Sequence, residues 1–233
     1  MKKKLFYLIG FLFVAALMLP EVQNLLAMDT ISYGSVFMAA GMAFAPMKWT
    51  LGQNNMGGYK ARLAFIPEDA VSAVPEVPTP DEATDNAAGV TATGAFTFKT
   101  GGAIKQPLFL YSTDGEVEYK AEPQGEADGI SYKCTLGWFM PGNTPEAHAF
   151  NALIKNSRGY FVIEDSDGKQ QLVGMSGLPC SVSPSYNGGK ARADRRGTTY
   201  TATCDSNYSA VYLGTPIDFD AIAGNTTSET GGA

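Results

Sequence analysis

Apolar and polar positions alternate most cleanly between Ile130 and Met140, where Ile130, Tyr132, Cys134, Leu136, Trp138 and Met140 share one side of a period of two. Ser131, Lys133, Thr135 and Gly137 fill the other side. That period predicts a strand with one buried face and one wet face. Pro141-Gly142-Asn143 breaks it, and Thr144-Pro145-Glu146 then has the order of a helix start. Thr144 suits the N-cap, Pro145 the first turn, and Glu146 the positive end of the helix dipole. The helix is expected over about 145–155, with Ala147, Phe150, Leu153 and Ile154 as its apolar stripe. Tyr160 to Ile163 is apolar at every position and reads as a strand buried on both faces. Asp165-Ser166-Asp167-Gly168 supplies a turn, and Lys169 to Gly174 is the returning strand.

The flanking chain is strand-like as well. Tyr59–Ile66, the alternating Phe96 and Phe98, Ile104–Tyr111 and Val117–Lys120 precede the central unit. Leu178–Val182, Thr199–Cys204 and Ala210–Leu213 follow it. Val74–Thr93 stands apart, with Pro75, Pro78 and Pro80, acids at Asp81, Glu82 and Asp85, and few large apolar residues. It is expected to be a long structureless connection, of the kind that serves a function or a linker. About eight to ten short strands with one helix predict a mainly β chain, a β-sandwich or open barrel with one flanking α-helix at about 145–155.

The N-terminus has a different character. Met1-Lys2-Lys3-Lys4 and the apolar run Leu5–Leu19 have the shape of a secretory signal. That run falls short of the roughly 20 residues of a membrane span. Ala27 suits a cleavage site, although Leu25 is larger than a peptidase prefers. Residues 34–47 form a second apolar run, either a short helix ending before Pro46 or part of a hydrophobic interface, and Met28, Met42 and Met47 are alternative translation starts. The expected organisation is a signal-like segment or upstream extension at 1–27, an apolar segment at 28–50, one β-rich domain at 51–222 with its long loop at 74–93, and a frayed Gly/Ser/Thr-rich tail at 223–233.

Composition adds three constraints. Of 233 residues, 45% are hydrophobic and 11% aromatic, enough for a substantial core. A formal net charge of −6 argues against general nucleic-acid affinity. The cysteines, Cys134, Cys180 and Cys204, lack metal-site spacing, so buried thiols are expected, with a disulfide between two of the three left open for an exported chain.

Candidate chemistry is sparse. His148 is the only histidine and falls on the helix face opposite the apolar stripe, with Asn151, Ala152 and Lys155. One histidine does not support a His-based metal site or a His-activated nucleophile. Asp165–Gly168 resembles the start of a calcium loop, but its Gly comes too early and no closing Glu follows. Gly174-Met175-Ser176-Gly177 lacks a spacer of the nucleophile elbow. Lys190, Arg192, Arg195 and Arg196 place four of seventeen basic residues in one short stretch. In an acidic chain they are expected to pair with carboxylates, the chain's own or a neighbour's. The sequence therefore predicts a non-enzymatic protein with no catalytic, cofactor-binding or metal residues and no small-molecule substrate.

Asn54-Asn55-Met56-Gly57-Gly58-Tyr59-Lys60 with Phe65–Asp69 resembles the opening of virion structural proteins of tailed phages infecting Bacteroides-like bacteria. Phe161–Asp165, Asp167-Gly168, Leu172–Gly174, Pro179, Asp194 and Gly197–Thr199 resemble their later part. The resemblance spans roughly Leu51 to Gly214. It implies a tail tube or related tail protein, a β-sandwich with a flanking helix whose copies form stacked hexameric rings that conduct DNA without binding it specifically, alongside other tail proteins. Such a subunit assembles in the host cytoplasm and needs no signal, so residues 1–46 depart from the pattern. The change of style after Met47 favours an upstream start. The rival expectation, carried by Lys2–Leu19, is an exported envelope β-sandwich, adhesin- or pilin-like.

Overall fold

A computed structural model describes residues 42–52 and 55–224. The signal-like segment, most of the second apolar run and the 225–233 tail lie outside the described residues. The strands are β1 (Tyr59–Pro67), β2 (Val71–Ala73), β3 (Thr91–Ala92), β4 (Thr97–Phe98), β5 (Leu108–Tyr111), β6 (Glu118–Gln124), β7 (Ser131–Pro141), β8 (Arg158–Asp165), β9 (Gln170–Val173), β10 (Cys180–Asn187), β11 (Gly197–Ser206) and β12 (Val211–Leu213). The helices are α1 (Pro145–Ile154) and α2 (Phe219–Gly224). The chain is mainly β, as its patterning predicts. It has more strands than expected and a second short helix, because β2, β3 and α2 are too short to show a period.

β8 organises the molecule. Its apolar run is flanked on one edge by β1, with Phe65 opposite Phe161 and Ile66 opposite Tyr160. The other edge is shared: residues 161–164 pair with β9, while Gly159 and Arg158 pair with Cys180 and Ser181 of β10. The sheet forks there. One branch runs β3-β12-β9-β8-β1-β5, and the other runs β10-β11-β7-β6. Two glycines permit the fork. A Cβ on Gly159 would lie 2.6 Å from the Phe65 ring, so β8 could not approach β1 with any side chain there. Gly174 takes φ +92° where the chain turns from β9 toward β10, a region that L side chains avoid.

The branches pack face to face, which makes a sandwich. Leu63, Phe65, Leu110, Phe161, Ile163 and Val173 meet Leu136, Trp138, Val182, Tyr200 and Ala202 in one core. Trp138 stacks on Tyr200 with centroids 4.9 Å apart and lies 5.2 Å from Phe161. The opposite face of β1, β8 and β9 is covered as well. Ala64, Ile66, Tyr160, Val162 and Leu172 pack with Val71, Val211, Leu213, Phe219 and Ile222. That second core explains why β8 carries no polar alternation.

α1 starts as its sequence dictates, with Thr144 Oγ1 accepting a hydrogen bond from the Ala147 amide at 3.2 Å. Its stripe is rotated from the expected one. Ile154 is buried and Phe150 packs on Tyr200, but Leu153 is 70% exposed. Asn151, expected among solvent-facing residues, instead donates to Thr198 Oγ1 at 3.0 Å and contacts the Tyr200 hydroxyl. A buried tyrosine hydroxyl requires a polar partner, and that requirement sets the rotation.

The 74–93 connection is not structureless. Glu76 and Thr93 exchange backbone hydrogen bonds of 3.1 and 2.8 Å, which closes its base. Pro75, Ala83 and Gly89 are buried, and β3 pairs in parallel with β12. Its composition hid these anchors because each involves one or two residues.

Candidate interaction surface

The polar side chains of the interior serve the fold. Glu164 lies at the end of β8, where Lys60 reaches it at 2.5 Å and Arg62 at 2.6 Å. Arg62 also bridges to Asp220 at 3.0 Å and lies over the Phe219 ring, which fastens α2 to β1. Burial by itself raises the pKa of a carboxyl, but the hydrogen bonds from Lys60 and Arg62 outweigh it and hold Glu164 below the usual glutamate range.

The three cysteines are free and buried. Cys134 and Cys204 are cross-strand partners on β7 and β11, and the Tyr119 hydroxyl donates to Cys134 Sγ at 3.1 Å. The neighbouring Cys204 thiol and burial both raise the Cys134 pKa. At Cys204 the contact with Cys134 lowers it, but Cys180 and burial together push it above the ordinary thiol value. Such thiols are poor nucleophiles and poor ligands. Among the described residues, no group of three or more His, Cys, Asp or Glu is arranged to hold a metal ion.

His148 is exposed, its ring 4.7 Å from that of Tyr186 and its Nε2 2.6 Å from Asn143 Oδ1. Asp165–Gly168 is a hairpin turn: Asp165 Oδ1 accepts from the Lys169 amide at 2.8 Å, and Gly168 takes φ +84°. Gly174–Gly177 belongs to the corner between β9 and β10, where Met175 and Leu178 exchange backbone hydrogen bonds.

The surface carries unspent interaction capacity. Within the basic loop between β10 and β11, Arg195 is committed. It forms a two-pronged pair with Glu116 at 2.5 and 3.3 Å and lies 3.8 Å above the Phe139 ring. That hydrogen bond lowers the Glu116 pKa and raises that of Arg195. Asp194 accepts the Ala191 and Lys190 amides, both at 2.7 Å, and shapes the loop. Lys190, Arg192 and Arg196 are exposed and, among the described residues, make no ion pair. Among the described residues, the expected pairing with the chain's own carboxylates is made by Arg195 and not by the other three.

The acidic counterpart is Asp81, Glu82 and Asp85 on the 74–93 connection, all exposed and likewise without a cation among the described residues. Beside them the chain N-terminal to β1 is tied down at two points. Asn86 clamps the Ala43 backbone with hydrogen bonds of 2.8 and 2.9 Å, and Ser166 Oγ donates to the Gly57 and Gly58 carbonyls. Between the clamps, Phe44, Met47, Trp49, Leu51 and Met56 stand 60% to 112% exposed. For the 34–47 run the sequence offered a short helix ending before Pro46 or part of a hydrophobic interface; its described residues from Ala43 on form no helix, and Phe44 and Met47 are exposed.

No family model matches the chain, and neither a curated protein nor a solved structure is significantly similar to it.

Proposed function

We propose that this protein is a non-catalytic structural subunit that assembles with copies of itself, as the tube-forming or a related tail protein of a tailed phage. The observation that carries this reading is the run of large apolar side chains from Phe44 to Met56, held against the domain at both ends and left open to solvent between them. Monomeric proteins rarely leave contiguous apolar patches of more than a few hundred Å² uncovered. The two-layer β architecture with α1 at its side is compatible with a tail-tube subunit, and the sequence resemblance of Leu51–Gly214 supports that more specific reading. A net charge of −6 suits a conduit wall that repels passing DNA. The test is assembly: the purified full-length chain, examined by electron microscopy across concentrations, is expected to form rings or tubes. A chain that stays monomeric throughout sinks the proposal.

A second reading is an exported envelope β-sandwich, supported by Lys2–Leu19. An exposed docking segment serves a pilin-like polymer equally well. Mass spectrometry of the native protein separates the two. Virion protein is expected to begin near Met28 or Met42, ahead of the Ala43 clamp, since a start at Met47 would remove Ala43 and Phe44 and with them the clamped apolar surface; an envelope protein begins at a cut near Ala27 and fractionates with the periplasm or outer surface.

A further inference from the structure

We infer that the Ala43–Leu51 segment, together with Asp81, Glu82 and Asp85, docks on the α1–β10 end of a second copy of this chain, where Lys190, Arg192 and Arg196 meet the carboxylates. The inference rests on the self-assembly part of the proposal above and names the contact.

Three observations carry it. First, the apolar and acidic groups form one surface, because Asn86 of the acidic connection holds Ala43 through both its amide atoms. Phe44 and Trp49 can each cover about 150–250 Å². With Met47 and Leu51 the total comes to roughly 600–800 Å², close to the ~800 Å² that each partner gives a stable interface. Second, the basic loop has an exposed aromatic neighbour of its own: Tyr186, near the end of β10, is 41% exposed. Tyr186 contacts His148 in the first half of α1, so the start of that helix, Tyr186 and the loop belong to one end of the fold. Third, these opposite charges go unpaired among the described residues. The acidic connection borders β3 and β12 in one branch of the sheet, while the basic loop joins β10 to β11 in the other.

The two surfaces use different residues, so the contact is heterologous. Repeated from copy to copy, it closes a ring or runs on as a filament, depending on the rotation between copies. Opposite charges around an apolar centre also set orientation and speed encounter.

The experiment uses the full-length chain, with self-association followed by sedimentation velocity and electron microscopy over a range of salt. Two variants reverse the charges: Lys190→Glu with Arg192→Glu and Arg196→Glu, and Asp81→Lys with Glu82→Lys and Asp85→Lys. Each alone is expected to weaken association roughly tenfold or more, because like charges would then face each other across the contact. Combining both sets in one chain is expected to restore it. A third variant, Phe44→Ser with Trp49→Ser, changes only exposed positions and is expected to abolish association at every salt concentration. Wild-type assembly that is indifferent to both reversals overturns the inference and leaves the tail-tube reading standing. So does a basic-loop reversal that removes binding of a duplex DNA probe while assembly is unchanged. Charge-sensitive open filaments that never close into rings support the contact and sink the tube. A wild-type chain that never associates overturns both.

Discussion

At the scale of single residues, Glu164 is the side chain on which most depends. It accepts from Lys60 and Arg62, which also connects α2 to the sheet through Asp220. Glu164→Gln keeps the shape and removes the charge, leaving two cations poorly matched. We expect a loss of about 2–3 kcal/mol in chemical denaturation, with α2 released first. Its lowered pKa also gives the stability a direction with pH. The folded chain holds this carboxylate ionised to lower pH than the unfolded chain, whose value is about 4.3. The contribution is therefore complete above that value and is lost as pH falls through the folded pKa. Denaturation midpoints measured from pH 6 to 3 should fall more steeply for wild type than for Glu164→Gln, and parallel curves would remove Glu164 from this role. The thiols make a second residue-scale prediction. Cys134 and Cys204 are buried with raised pKa values, and Cys180 is wholly buried. Native protein at pH 8 should resist iodoacetamide and release three reactive thiols only in denaturant. Rapid labelling of the native state would show that the core opens there.

At the scale of elements, the fork at β8 is the feature most open to test. Gly159 faces Phe65 and the Ile66 carbonyl too closely for a Cβ. Gly159→Ala should therefore shift β1 or β8 and cost about 1–3 kcal/mol, the usual penalty for overpacking. A melting temperature equal to wild type would mean that the β1–β8 approach relaxes freely. The start of α1 depends on the Thr144 cap, and Thr144→Ala should cost about 1 kcal/mol. The 74–93 connection divides into two parts. Its base is closed by the Glu76–Thr93 hydrogen bonds, whereas residues 79–82 are exposed. Limited proteolysis of dilute protein should cut near 79–82 and spare the base. Assembly should then protect the same sites, because they lie in the proposed contact; equal cleavage in both states would place them outside it.

At the scale of the whole molecule, two cores share one sheet. Phe65 and Phe161 face one core while Ile66 and Tyr160 face the other. Loss of α2 and the β2–β4 pair would thus expose the outer side of β1 and β8 but leave the sandwich core covered. The described surface is less complete than the interior. Phe44, Met47, Trp49 and Leu51 stand in solvent, and charged loops of opposite sign stay apart. That contrast between a closed interior and an open surface is why we place the function in association rather than in a pocket.

Some of this was determined by the sequence alone. The period of two specified β7 and its buried Cys134, Leu136 and Trp138, because alternation is a local property of extended backbone, although Ile130, expected on the same buried face, lies before the strand and is 66% exposed. Thr144-Pro145 specified where α1 begins, and Asp165–Gly168 specified the β8–β9 turn, because caps and turns involve only near neighbours. The unbroken apolar run of β8 announced burial on both faces but not what would cover them. Tertiary structure decided the rest. Asn151 turned inward and Leu153 outward because Tyr200, 49 positions from Asn151, needs a partner for its hydroxyl. Arg195 was singled out from its basic neighbours because Glu116, in the turn before β6, and Phe139 of β7 converge on it. Three cysteines scattered along the chain came to share one core because β7, β11 and the start of β10 lie side by side. Partners chosen across long sequence separations leave no periodic trace, since they depend on which strands become neighbours once the sheet forks at β8.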